Sequence, residues 1–419
     1  MKFAWPKIFL ILTLIASMTS SAKAAFGPSL VFDADTGEVL VADRAGAPWY
    51  PASLTKLMTA YVTFKALQSG RITLQTQLTI SKHAATRPPS KIGLRAGSKV
   101  SVDFALKAIL IHSANDMAAT LAENIGGSIS GFANKMNNQA RRLGMTGTNF
   151  VNPHGLHNDL QVTTARDLGI LATTILHEFP QYRKYFTAHN MRVGKRTLKN
   201  RNKLASKFEW VDGMKTGYLC TSGYNLVASA HVNGKRLISI SLGARSGAGR
   251  NEFSRVLLEW SGNSASRSAA RLARIKNTGG KAKNLRPVVC KRPKRIIWGN
   301  LKELDGWGVS LGQYKSAYTA DAVLQGRVLI SRRFLTGGKL GVYRSLEPRK
   351  YVALLSQMHQ KESLTLCSYL RRSNAYCEVL TPQSMALFKQ KKEQAKLNKN
   401  NKAKRRKNKL KRKTKLIAR

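Results

Sequence analysis

"YNLVASAHVNGKRLISISLGA", residues 224–244, decides the fold. Two apolar runs flank Asn233-Gly234, a dipeptide that accepts positive φ at both central positions of a tight turn. The stretch therefore reads as an antiparallel hairpin. A second hairpin signal stands near the start of the chain. In "SLVFDADTGEVLVA", residues 29–42, apolar runs surround Asp35-Thr36-Gly37. Between the two hairpins the period changes. Leu54, Leu57, Met58, Tyr61, Phe64 and Leu67 recur at three and four, which predicts a helix over 53–69. Helices are also predicted over 102–126 and 129–143, separated by Gly126-Gly127. "TTARDLGILATTILHEF", residues 163–179, is another, with Thr163 or Thr164 as its cap. "NEFSRVLLEW", residues 251–260, closes the unit with a helix. Strands at both ends and helices between them describe an α+β unit, with an antiparallel sheet built from the terminal segments and a helical insert.

Outward from this unit the composition changes. The chain has 419 residues and opens with a basic start, an apolar run from Ile8 to Met18 and Ala22-Lys23-Ala24. That is the pattern of a secretory signal peptide over 1–24, and it predicts export. Residues 25–262 form the α+β unit. Residues 263–298 are basic, lack apolar periodicity and read as a linker. Residues 299–382 form a second, small α/β segment, with strands at 306–314, 351–355 and 375–380 and a helix near 362–372. Residues 383–419 form a Lys/Arg-rich tail. From Lys389 to Arg419 there are 16 basic residues and one acid, Glu393. Such a run cannot bury a core, and disorder is expected. The net charge of the whole chain is +50. In an exported protein this points to anionic wall polymer or membrane, and no nucleic-acid partner is expected.

Four cysteines follow the leader. Cys367 and Cys377 are ten apart in the small segment and pair with each other. Cys220 and Cys290 then pair by elimination. His154 and His157 lie among Pro153, Gly155 and Asn158, a loop rather than a ligand-bearing helix. No metal and no cofactor is assigned.

The chemistry sits at the start of the helix over 53–69, in "WYPASLTKLMTAY", residues 49–61. Ser53 and Lys56 are three apart and share a helix face. A serine needs a base to become a nucleophile. A lysine serves only if its pKa falls from about 10.4 toward 7, on the order of 4 kcal/mol of destabilised ammonium. Apolar neighbours and a second cation supply such a shift. Two further motifs follow. Ser113-Ala114-Asn115 offers a hydroxyl that can pass a proton to a leaving amine and an amide that can hold a carbonyl. Lys215-Thr216-Gly217 offers a cation and a hydroxyl for a substrate carboxylate, with a glycine that lets a substrate backbone approach.

Ser-x-x-Lys, Ser-x-Asn and Lys-Thr-Gly in this order resemble the motif set of penicillin-binding proteins and serine β-lactamases. "PASLTKLMTAYV", "HSANDMAATLAE", "MNNQARRLGMTGTNFVNPHGL" and "VDGMKTGY" narrow the resemblance to D-alanyl-D-alanine carboxypeptidases of the low-molecular-mass class. The resemblance implies a β-lactamase/transpeptidase-like fold. It also implies a periplasmic location, peptidoglycan stem peptides as substrate and β-lactams as inhibitors. It assigns Ser53 as nucleophile, Lys56 as general base, Ser113 and Asn115 to proton transfer and positioning, and Lys215, Thr216 and Gly217 to the substrate. The backbone N–H groups of Ser53 and Tyr218 become the oxyanion hole. Asn115 follows Ala114 rather than Asp, and no Glu-x-x-x-Asn segment lies between the second and third motifs, so fast β-lactam hydrolysis is not expected. A D,D-endopeptidase acting on cross-links, a non-catalytic wall-binding protein and a cationic surface adhesin remain rival readings. "WGVSLGQYKSAYTADAVLQGRV" and "LCSYLRRSNAYCEVL" resemble a sporulation-related repeat domain, with Trp307, Gly312 and Tyr314 in its opening strand; residues 324–350 depart from that pattern. This resemblance implies binding to glycan strands.

Overall fold

The computed structural model describes residues 26–264, 269–290 and 299–417, with the side chains of residues 396, 399 and 402–417 set aside. The predicted leader lies outside the described residues. The predicted N-terminal hairpin forms β1 (Ser29–Asp33) and β2 (Val39–Asp43). A single 3₁₀ turn, Ala52–Thr55, leads into α1 (Lys56–Gln68). The helical insert holds α2 (Val102–Lys107), α3 (Asn115–Gly126), α4 (Ile129–Arg142) and α5 (Ala165–Glu178). Thr164 is the cap of α5 and accepts from Asp167 N. Strands β3 (Lys215–Leu219), β4 (Gly223–Val232) and β5 (Lys235–Ala244) return to the sheet, and α6 (Gly247–Asn263) covers it.

The sheet has five antiparallel strands in the order β2-β1-β5-β4-β3. The β4–β5 turn is Asn233-Gly234, with φ of 49° and 75°, as that dipeptide predicts. Successive side chains point to opposite faces. Leu30 and Phe32 join the core of the helical insert, whereas Val31 joins the core beneath α6. Both faces of the sheet are covered, which is why its central strands are apolar almost without interruption.

Three expectations change in the structure. First, the helix predicted over 102–126 is broken. A widened turn over Ala108–His112 ends at Ser113, whose φ is +66°, and α3 starts afresh at Asn115. Second, the described part of the predicted linker, residues 269–290, is strapped to the first unit. Leu272 N donates to Gly37 O, Thr278 N to Gly46 O and Leu285 N to Thr221 O, and Leu272 is buried. Its end is tied down by the Cys220–Cys290 disulfide. Third, the tail expected to be disordered is a helix from Pro382 to Ile417. It has no Gly or Pro beyond Pro382 and is rich in Lys, Gln, Ala and Leu, all good helix formers. Met385 is fully buried, and Lys392 Nζ donates to Ser345 O at 2.7 Å. These contacts oppose the like-charge repulsion at three- and four-residue spacings.

The second unit runs β6 (Trp307–Tyr314), α7 (Ala317–Ser331), β7 (Lys339–Arg344), β8 (Tyr351–Met358), α8 (Gln360–Arg372) and β9 (Glu378–Leu380). Its four strands are antiparallel in the order β7-β8-β6-β9, and the Cys367–Cys377 disulfide closes one end as predicted. The sequence reading contains neither α7 nor β7. Helix α7 lacks a clean apolar stripe because it is buried on two sides: it packs on its own sheet and on α6. Phe253, Val256 and Leu257 of α6 share one core with Ala320, Val323 and Leu324 of α7. Among the described residues no helix is long and apolar enough to cross a membrane.

Candidate active site

Ser53 stands in the 3₁₀ turn before α1 and follows Ala52, whose φ is +48°, an uncommon conformation for a non-glycine residue. Two neighbours hold this turn. Gly155 has φ +82°, and a Cβ there would lie 1.8 Å from Ala52 O, so only glycine lets the 152–158 loop cross over the nucleophile. A Cβ on Gly217 would lie 3.1 Å from Ser53 N and 3.0 Å from Pro51 O. This corrects the reading of Gly217: the backbone that it admits is the protein's own. Strand β3 is the sheet's edge strand, and its close approach to the serine turn depends on that missing side chain.

Lys56 is fully buried. Its Nζ lies 2.7 Å from Asn115 Oδ1, 2.7 Å from the His154 carbonyl and 3.1 Å from Ser53 Oγ. Burial, then the Lys215 cation, hold its pKa well below the ordinary lysine value, while Asp116 acts in the opposite sense. A neutral amine has two N–H donors and one lone pair. Here the two short contacts to carbonyl oxygens can take the donors, which turns the lone pair to Ser53 Oγ. This is the geometry of a base.

Lys215 is buried at the start of β3. Its Nζ donates to Ser113 Oγ at 2.9 Å and to Thr216 O at 2.9 Å. Burial, followed by Arg250 and Arg201, pushes its pKa down to about 7. Asn115 is held from both ends: its Nδ2 donates to Pro88 O and its backbone N to Ser90 O. Asp116, one residue on, accepts from the backbone N–H groups of Ile92 and Gly93. The loop at 88–93 and the second motif thus form one rigid edge. His154 is pushed down to about 3, by burial first and Lys56 next, so its imidazole is neutral and its carbonyl serves Lys56.

Ser53, Ser113, Asn115, Thr216, Gly217 and Tyr218 line one cleft of about 750 Å³, and both lysines lie beneath it. All eight residues singled out in the sequence therefore meet in one place. Tyr218 packs against Tyr224 with ring centroids 4.2 Å apart and the planes tilted by 31°. The sequence reading missed the His154 carbonyl, Asp116, Arg201 and Arg250. A backbone carbonyl has no sequence signature, and one arginine among many declares nothing until the fold places it.

A half-buried serine against a buried lysine, beside a second buried lysine and its serine, is an acyl-transfer arrangement. Residues 16–246 match the peptidase S11 family, described as D-alanyl-D-alanine carboxypeptidase. The chain belongs to that family. It is 38% identical over 236 residues to D-alanyl-D-alanine carboxypeptidase DacA of Haemophilus influenzae, covering 55% of this chain and 60% of that one. To DacC of Escherichia coli it is 39% identical over 238 residues, with 55% and 60% covered. The chain thus spans about 60% of the length of these curated relatives. Among solved structures, penicillin binding protein 5 of H. influenzae superposes with a TM-score of 0.55 and 36% identity, over 57% of this chain and 71% of that one. Penicillin-binding protein D2 of Listeria monocytogenes, solved in a cefotaxime-bound form, superposes with a TM-score of 0.52 and 30% identity, over 57% and 98%. The second unit lies beyond the residues matched to the S11 family.

Proposed function

We propose that the chain is a serine D-alanyl-D-alanine carboxypeptidase that trims the terminal D-Ala from peptidoglycan pentapeptide stems. One observation carries this reading: Lys56 Nζ, stripped of solvent, contacts Ser53 Oγ in the cleft that also holds the Lys215–Ser113 contact. Neutral Lys56 takes the Ser53 proton as Oγ attacks the penultimate D-Ala carbonyl carbon. The developing oxyanion lies at the N–H groups of Ser53 and Tyr218. Ser113, held by Lys215, gives its proton to the departing D-Ala nitrogen and takes back the one that Lys56 removed, which leaves Lys56 neutral again. Lys215 and Thr216 hold the terminal carboxylate. Water then attacks the ester carbonyl carbon, its proton passing to Lys56 and from there to Ser53 Oγ as the shortened stem leaves.

The protein is exported to the periplasm by its N-terminal leader. The second unit contacts glycan strands, a role supported by its antiparallel four-stranded sheet and two helices. The basic tail adds a salt-sensitive hold on anionic wall or membrane.

Purified protein should release D-Ala from a bis-acetylated Lys-D-Ala-D-Ala peptide and form a covalent adduct with labelled penicillin. Ser53→Ala should lose both; an adduct that survives the substitution overturns the nucleophile assignment. Monomeric and cross-linked muropeptides, compared as substrates, separate this reading from an endopeptidase. Co-sedimentation with purified wall at low and high salt, with and without residues 383–419, separates glycan binding from the tail.

A further inference from the structure

The cleft has a wall that comes from the second unit. Thr319, in the first turn of α7, lines the same cleft as Ser53, together with Asn251 and Glu252 of α6. The two helix starts are pressed together. A Cβ on Gly249 would lie 3.1 Å from Tyr318 O, and one on Gly326 would lie 2.9 Å from Val256 Cγ1. The helices thus pack closely at these glycines, and that packing sets Thr319 beside the cleft.

We propose that Thr319, with Asn251 and Glu252, forms a substrate subsite for the peptide stem outside the scissile D-Ala pair. This rests on the carboxypeptidase reading. The chemistry offers donors and acceptors for amides. The Glu252 carboxylate pairs with Arg255, with Oε1 at 2.5 Å from Nη2 and Oε2 at 3.2 Å from Nε, and shares that guanidinium with Glu259. Asn251 Oδ1 accepts from Arg250 Nη2 at 2.7 Å and Nε at 3.0 Å, which leaves its NH₂ group as donor to a ligand. A hydroxyl, an amide NH₂ and a carboxylate acceptor suit the alternating N–H and C=O groups of a peptide. Continuity with the Ser53 end of the cleft, where a peptide must lie, favours the stem over the sugar.

The test compares kcat/KM of the full chain on bis-acetylated Lys-D-Ala-D-Ala and on a free pentapeptide stem. Thr319→Trp should lower the pentapeptide value at least tenfold more than the short-substrate value. Thr319→Val, which keeps the shape, should lower the ratio of the two by about two- to tenfold, the worth of one hydrogen bond. Melting temperatures check that both variants fold. Equal losses on both substrates, or no loss, overturn the subsite while the hydrolase reading stands. A selective loss seen only with the disaccharide-linked pentapeptide makes the occupant a sugar and overturns the peptide assignment. A wild-type chain inert on all of these substrates overturns the hydrolase reading and the subsite with it.

Discussion

Lys56 and Lys215 are both buried, both bonded to a serine hydroxyl and both depressed in pKa, yet their surroundings assign them different work. Lys56 faces two carbonyl oxygens and a hydroxyl, with a cation beside it. That set suits a neutral amine with its lone pair on Ser53. Lys215 spends two donors inside the protein, on Ser113 Oγ and Thr216 O. As an ammonium it has a third, which a substrate carboxylate can take. The difference shows that burial alone does not define a base; the number and type of acceptors around the nitrogen do.

Arginine replacements break this comparison most sharply, because a guanidinium stays charged. Lys56→Arg should lower the second-order rate of penicillin acylation by about 10²–10⁴-fold, the usual worth of a positioned base. Lys215→Arg should cost about tenfold or less, since charge is what that position supplies. Equal losses in the two variants would erase the distinction.

The pH profile sharpens it. Acylation should rise from acid pH as Lys56 gives up its proton. It should then fall as Lys215, pushed down to about 7, becomes neutral and loses its hold on the carboxylate. A lowered lysine pKa means that the cation is present below that value and lost above it. Lys215→Arg should therefore carry the alkaline limb to higher pH and leave the acid limb in place. A profile of kcat/KM against pH for both proteins decides the matter.

The disulfide separates the two neighbourhoods by position. Cys220–Cys290 pins the strap to the turn just after β3, on the Lys215 side. Replacing both cysteines by serine should cost about 2–4 kcal/mol in denaturant unfolding. It should also raise KM more than it lowers kcat, because the strand that carries Lys215 loosens while the Ser53–Lys56 turn keeps its own supports. A change in kcat alone would count against that division.

Much of this was legible beforehand. Period-two apolar runs around Asn233-Gly234 and period-3.6 runs from Leu54 to Leu67 are local patterns, and local sterics and burial enforce them. The motif residues Ser53, Ser113 and Lys215 carry side-chain chemistry that spacing can flag. The break at Ser113 was hidden, because a left-handed serine has no compositional mark. The strap was hidden because it is held by backbone hydrogen bonds, and α7 because a helix buried on two faces shows no stripe.

The sequence by itself determined an antiparallel sheet around a helical insert, two disulfide pairings and eight residues of one site, because periodicity, turn chemistry and functional groups are properties of short stretches. Only the tertiary structure decided how each lysine is desolvated and which groups its nitrogen meets. It also decided that a carbonyl at His154 and two arginines tune the cleft, and that the second unit reaches it. Those depend on desolvation and on contacts between residues far apart in the chain, which no local pattern encodes.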